Sequence, residues 1–266
     1  MLGVSLTGMD PTIRFSELVA GPEEDLRLDE AALLIAAHAR PDLDIGAELK
    51  LLDRLAAGIP EGTLDEWRRH LFVHLGYSGD ASRYYDPANS FLNEVIRRRR
   101  GLPITLSVLG MEVGRRVGLR LLGVGMPGHF LLKHGPDVYV DPFDGGRVLD
   151  RAECVEKFRA VNGPRAAFRI NYLDPVGPHA ILGRMLNNLK AVYAGRGDVA
   201  ALNWVFELRR ALPAAGPGEA REWARTLGAT GRYLEAAAEL EALAEAHPGD
   251  AEALETEAKA FRAHLN

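Results

Sequence analysis

The chain has 266 residues, 47% of them hydrophobic and 26% charged, with a formal net charge of −5 and a pI near 5.9. That length allows one large domain or two ordinary ones, and the acidic balance argues against general nucleic-acid binding. The single cysteine, Cys154, excludes an intrachain disulfide and a cysteine-based zinc site.

The opening stretch "MLGVSLTGMDPTIRF" has neither the basic region nor the long apolar region of a secretory leader. No apolar run reaches the ~18–20 residues that span a bilayer, so a soluble cytoplasmic protein is expected. No Gly-rich loop followed by Lys is present, and no cofactor is expected.

Between residues 12 and 100 the chain reads as helical. "LDEAALLIAAHAR" (28–40) opens on acidic residues and stops before Pro41, as a helix does. In "IGAELKLLDRLAAGI" (45–59), Leu49, Leu52, Leu55 and Ile59 recur at three- and four-residue intervals, the amphipathic period. "TLDEWRRHLFVHLG" (63–76) has Thr63 placed as N-cap, Glu66 three residues on, and Gly76 as a stop. "DPANSFLNEVIRRRRG" (86–101) sets a cap, Asp86, before Pro87 and is expected to run as one helix to Gly101. "LPITLSVLGMEVGRRVG" (102–118) reads as the next helix, with Pro103 at its start.

At Leu119 the pattern changes. "LRLLGVGM", "HFLLK" and "DVYVDPF" are short apolar runs bounded by Gly and Pro, which predicts strands. A short helix is expected around 150–160 and an edge strand at "FRINYLD" (168–174). From Pro178 onward the chain is Ala-rich and helical. Gly197 and Gly231 stand 34 residues apart, and "GRYLEAAAELEALAEAHPGDAEAL" resembles a tetratricopeptide repeat. The copy that starts at Gly197 is degenerate, and an ordinary pair of helical hairpins is the alternative.

Chemistry concentrates in "PGHFLLKHGPDVYVDPF" (127–143). A turn centred on Gly135 sets His129 directly opposite Asp141 and on the same face of a hairpin. Facing Cβ atoms about 4.5–5.5 Å apart let a carboxylate hold an imidazole by its ring N–H. That is two thirds of a nucleophile–base–orienter set. The same pair also serves simply to fasten two strands. A zinc site lacks a third ligand at short spacing, because His134 sits in the turn.

The stretches "YYDPANSFLNEVIRRRRGLPITLSVLGMEVGRRVGL", "GVGMPGHFLLK" and "DPFDGGRVLD" are similar to the SirB-one-type branch of the transglutaminase-like superfamily, over roughly residues 25–155. Members of that branch often carry a TPR-like tail. The resemblance implies a papain-like core, with a helix that bears a cysteine packed on a sheet that bears histidine and aspartate. It places that cysteine two residues after one glycine and fifteen before another. Gly101 and Gly118 match these two, so the nucleophile position is Pro103; His129 and Asp141 match the other two members. A thiolate there would be stabilised by the helix N-terminus. Proline suits the first helical position and supplies no reactive atom.

Thr105 points about 200° away around the same helix, and Ser107 lies one turn, roughly 5–6 Å, further along. Both are expected to be structural, with the Ser107 hydroxyl turned toward the backbone. Cys154 is expected to be an inert, partly buried thiol. Asn89, Ser90, Asn93 and Glu94 precede the site; Asn93 and Glu94 are placed to reach into the cleft, with Tyr84, Tyr85 and Asp86 as one wall. The run of four arginines, 97–100, suits the negative end of a helix and solvent.

The expectation is an α+β fold: a transglutaminase-like domain with a helical N-terminal part over 1–175, and a TPR-like helical domain over 176–266. The expected function is binding of a protein or peptide partner by a catalytically degenerate cleft around Pro103, His129 and Asp141. Asn89, Asn93, Glu94 and Tyr85 would line it. No metal, membrane or nucleic acid is involved in that reading. The alternative is a peptidase or amide hydrolase that uses Ser107, or an activated water, with His129 and Asp141.

Overall fold

A computed structural model describes residues 10–213 and 216–265. Residues 1–9, which include most of the stretch read for a leader, lie outside the described residues.

Four helical segments open the fold, three of them started by a side-chain cap. The Asp10 carboxylate accepts from the Thr12 and Ile13 N–H groups to start α1 (Pro11–Ala20). Asp44 caps α3 (Ile45–Ala56) and Thr63 caps α4 (Leu64–Arg68) in the same way. Helix α2 (Leu28–Ala39) has no side-chain cap; it is buried at every position from Leu28 to Ala37, and α1, α3 and later helices pack around it. A helix that is apolar on nearly all sides belongs in the middle of a domain. Helix α4 runs on into a π-helical stretch, Arg69–His74, and the chain turns at Gly76 with φ 72°.

The expected helix over 86–101 is divided. Asp86 caps a short 3₁₀ turn, Pro87–Ser90, Phe91 is extended, and α5 spans Leu92–Arg98. Its end comes at Arg99, in the left-handed region with φ 57°. Arg100–Gly101 (β2) then pairs in parallel with Ser78–Gly79 (β1). Tertiary pairing with a strand that precedes it removes the last residues from the helix, which sequence period alone cannot show.

Helix α6 (Pro103–Arg116) has Pro103 at its first position and is buried along most of its length. It packs on α3, α5 and the sheet. Gly110 allows this closeness: its carbonyl accepts from the Trp67 indole N–H at 3.0 Å, and a Cβ there would meet Trp67 at 2.8 Å and Leu132 at 3.2 Å.

The sheet has four antiparallel strands in sequence order: β3 (Leu122–Val124), β4 (Leu131–Lys133), β5 (Tyr139–Asp141) and β6 (Arg147–Leu149). The sequence pattern predicts no strand at β6. Helix α7 (Arg151–Asn162) opens with a capping box between Asp150 and Glu153. The expected edge strand at 168–174 is instead a 3₁₀ turn, Ile170–Leu173. Only one isolated bridge, Val124 to Pro175, adds to the sheet there.

Five helices follow: α8 (Pro178–Arg196), α9 (Val199–Ala211), α10 (Pro217–Ala229), α11 (Tyr233–Ala246) and α12 (Ala251–Ala263), each packed on its neighbour. The apolar core runs across the division expected at residue 175. Ile181, Leu182, Met185, Leu186 and Leu189 of α8 and Leu202, Val205 and Phe206 of α9 share one cluster with α1, α2 and α6. Trp223 and Leu227 of α10 and Ala236 of α11 join the main cluster, while Ala224, Ala237, Leu240 and Leu254 of α10–α12 form a separate one. Among the described residues, no helix is long and apolar enough to cross a membrane.

Candidate functional site

His129 and Asp141 meet. His129 Nε2 lies 2.9 Å from Asp141 Oδ2, with Asp141 fully buried and His129 7% exposed. The register differs from the expected one: Leu132 pairs with Val140 and Lys133 with Tyr139, so the turn centres on Pro136 and Asp141 faces position 131. His129 therefore precedes β4 and reaches Asp141 diagonally. Moving the turn centre by one residue shifts the pairing by two, which preserves the face.

Asp141 is held on both oxygens. Oδ1 accepts from the Phe143 and Asp144 N–H groups at 3.0 and 3.2 Å. Oδ2 takes both His129 and the Lys157 ammonium. Burial alone would raise the Asp141 pKa, but the His129 and Lys157 contacts outweigh it and hold the carboxyl below the usual carboxylate value. The pair thus fixes the imidazole, whose Nδ1 has no protein partner among the described residues.

Backbone bonds tie this histidine to the start of α6. Its ring stands edge-on to Phe143, with centroids 6.0 Å apart. The Phe143 carbonyl accepts from Gly79 N–H at 2.9 Å, and Asp80 N–H donates to the Gly101 carbonyl at 3.2 Å. Gly79 is required here, since a Cβ would sit 2.3 Å from the Phe143 ring.

Pro103, the expected nucleophile position, is buried at the first position of α6. The Ser107 hydroxyl is fully buried and donates to the Pro103 carbonyl at 2.8 Å. Thr105 is also buried, and its hydroxyl has no partner. Cys154 sits in an apolar cluster with Val124, Leu131, Tyr139 and Phe158, and burial pushes its thiol up to about 12.

The other predicted lining residues divide. Asn89 and Asn93 are buried to within 1% of complete, so neither reaches into an open cleft. Asn89 Nδ2 donates to the Arg83 carbonyl at 2.7 Å, while Asn89 Oδ1, Ser90 Oγ and both Asn93 amide atoms have no partner among the described residues. Glu94 faces the other way and accepts from Arg40 at 2.8 Å. The expectation that Asn93 and Glu94 enter the cleft is corrected: the break at Phe91 rotates α5 so that Asn93 faces the core and Glu94 faces α2. Tyr85 is 75% exposed, and Tyr84 packs edge-on against Phe143 at 6.1 Å.

The four arginines fasten local structure. Arg97 pairs with Glu48, Arg98 with Asp80 and Asp86, while Arg99 and Arg100 donate to the Leu75 and Gly76 carbonyls.

Two residues at this site were missed by sequence reasoning. Lys157 had a signal, since it stands three residues after Cys154 on the inward face of the expected helix. Arg184 had none: it reaches back from α8 and donates to the Met126 and His129 carbonyls at 3.0 and 2.7 Å. A surface depression of about 540 Å³ at Asp53, Pro60 and Arg116 includes none of the predicted site residues. No group of His, Cys, Asp and Glu among the described residues is arranged to hold a metal ion.

Residues 28–187 match the transglutaminase-like superfamily. A UPF0162 protein of Xylella fastidiosa (strain 9a5c) is 41% identical over 210 residues, 70% of this chain and 73% of the relative. A UPF0162 protein of Pseudomonas aeruginosa is 31% identical over 199 residues, 71% of this chain and 73% of its own. F-box only protein 21 of Mus musculus is 33% identical over 102 residues, 34% of this chain and 16% of that protein. No solved structure matches. A superfamily match that runs from α2 into α8, with relatives that share about 70% of the chain, makes this protein a member of the transglutaminase-like superfamily and, within it, of the UPF0162 family.

Proposed function

We propose that this chain is a catalytically degenerate transglutaminase-like protein that binds a protein or peptide segment at the surface around His129, with its TPR-like C-terminal helices as a second surface. The observation that carries the reading is the intact His129–Asp141 pair, in a chain whose expected nucleophile position, Pro103, carries no reactive atom. Acyl transfer needs a nucleophile within about 2.6–3.2 Å of its base. Pro103 offers none, the Ser107 hydroxyl is committed to the Pro103 carbonyl, and Cys154 is buried and protonated.

What remains suits recognition. The imidazole is oriented by Asp141, with Nδ1 available for a hydrogen bond. Tyr84 packs against Phe143 and Tyr85, and Val161, 50% exposed, lies beside Gly128. Exposed aromatic and apolar side chains around a few polar groups are what an interface uses. The likeness of one third of this chain to a short part of F-box only protein 21 supports use of the domain as a module.

The test treats the full chain with a fluorophosphonate, a thiol-directed probe and a panel of peptide and amide substrates, before and after His129→Ala and Ser107→Ala. Silence throughout, together with loss of peptide binding in His129→Ala, is expected. Histidine-dependent turnover that disappears in Ser107→Ala would replace this reading with a serine hydrolase.

A further inference from the structure

We infer that Arg184 makes the His129 surface selective for an acidic peptide, by taking one glutamate or aspartate side chain of the bound segment onto its guanidinium. The inference rests on the peptide-binding reading above and names the chemistry of the partner.

The first observation is a missing counterion. Arg14, Arg98, Arg116 and Arg209 are also shielded from solvent, and each lies within 4.0 Å of a carboxylate. Arg184 has none among the described residues. Burial pushes its guanidinium below the ordinary arginine value, the cost of holding a cation away from water without an anion. Its Nη2 donates to the Met126 and His129 carbonyls, and its Nε and Nη1 hydrogens have no protein acceptor among the described residues. A planar fork with free donors is the arrangement that takes a carboxylate.

The second observation is position. The carbonyl that Arg184 holds belongs to His129 itself, so the guanidinium is tied to the backbone of the residue that carries the imidazole. The Phe130 ring lies 5.5 Å away. Burial raises the Tyr84 phenol pKa, and the Arg184 charge offsets part of that rise. A second arginine of α8, Arg196, has no carboxylate partner among the described residues and donates to the Tyr85 carbonyl at 3.4 Å. One helix thus presents two uncompensated cations to the rim, on a chain whose net charge is −5. Helix α8 was expected to belong to the tail; its packing in the main core is what brings Arg184 here.

The experiment selects phage-displayed random peptides on the full chain and keeps those weakened by His129→Ala. Each is synthesised with its acidic residues changed one at a time to the amide, and binding is measured by fluorescence anisotropy. On the wild type, one such change is expected to weaken binding about 10-fold or more, and on Arg184→Gln the same change is expected to matter less than about 2-fold. Arg184→Lys, which keeps the charge and loses the fork, should fall between them and serves if Arg184→Gln melts early. Peptides that bind equally well as acid and amide on the wild type would overturn the inference and leave the peptide-binding reading standing, without recourse to any variant. An acid dependence that persists in Arg184→Gln would overturn it too. Failure to select any His129-dependent peptide would remove both readings.

Discussion

Replacing Asp141 with asparagine tests whether the His129 pair is held as the structure has it. Asp141 Oδ2 serves His129 and Lys157, and each charge-assisted bond is worth about 1.5–3 kcal/mol. An asparagine amide in that place can donate to the imidazole after a tautomer change, so one bond is recovered. Lys157 loses its buried acceptor, but Asp144 Oδ2 is 3.5 Å away and the lysine is 24% exposed. The net cost is therefore about 2 kcal/mol, or roughly 4–8 °C in Tm at about 2–4 °C per kcal/mol. Asp141→Ala recovers no bond to His129 and further leaves the Phe143 and Asp144 N–H groups without their acceptor, at about 1 kcal/mol each, for a total of about 6 kcal/mol.

The pH dependence fixes the sign. The folded pKa of Asp141 lies below its unfolded value of about 3.9, so its stabilisation is complete above that value and is lost as pH falls through the folded pKa. Urea unfolding followed by circular dichroism between pH 3 and 8 should show an unchanged slope, a wild-type advantage that is level above about pH 5, and a shrinking gap below about pH 4. A gap under about 0.5 kcal/mol at pH 7, or one that widens on acidification, would refute the geometry at this carboxylate.

Truncation after residue 176 removes five fully buried α8 side chains, each worth about 1.5–3 kcal/mol, and should abolish cooperative melting, whereas truncation after residue 213 should preserve it. Calorimetry of the two fragments decides this. Cys154, with its thiol at about 12, should resist Ellman's reagent in the native protein and react at once in guanidinium. Pro103→Cys should fold within about 1 kcal/mol of the wild type, because the helix start at Leu102 uses no side-chain cap. Its new thiol should alkylate with a pH profile that His129→Ala alters. Gly79→Ala should displace the Phe143 ring and cost about 1–3 kcal/mol, read as a lower urea midpoint.

The sequence by itself determined the local features that depend on neighbours along the chain. Asp10, Asp44 and Thr63 start helices because their side chains meet N–H groups two or three residues on. Pro103 sits at the first position of α6, and the Ser107 hydroxyl turns to the carbonyl four residues back. His129 and Asp141 share a face because strand side chains alternate, a parity that survived a turn centred one residue away from Gly135. The tertiary structure alone decided where these elements meet. Pairing of Arg100–Gly101 with Ser78–Gly79 ended α5 early, and the break at Phe91 turned Asn93 to the core and Glu94 to Arg40. Arg184 reaches the His129 carbonyl from 55 residues away because the apolar face of α8 is buried in the main core. Hydrogen-bond partners within a turn are fixed by chain geometry; partners across such a distance are fixed by which apolar faces pack together, and that depends on every element at once.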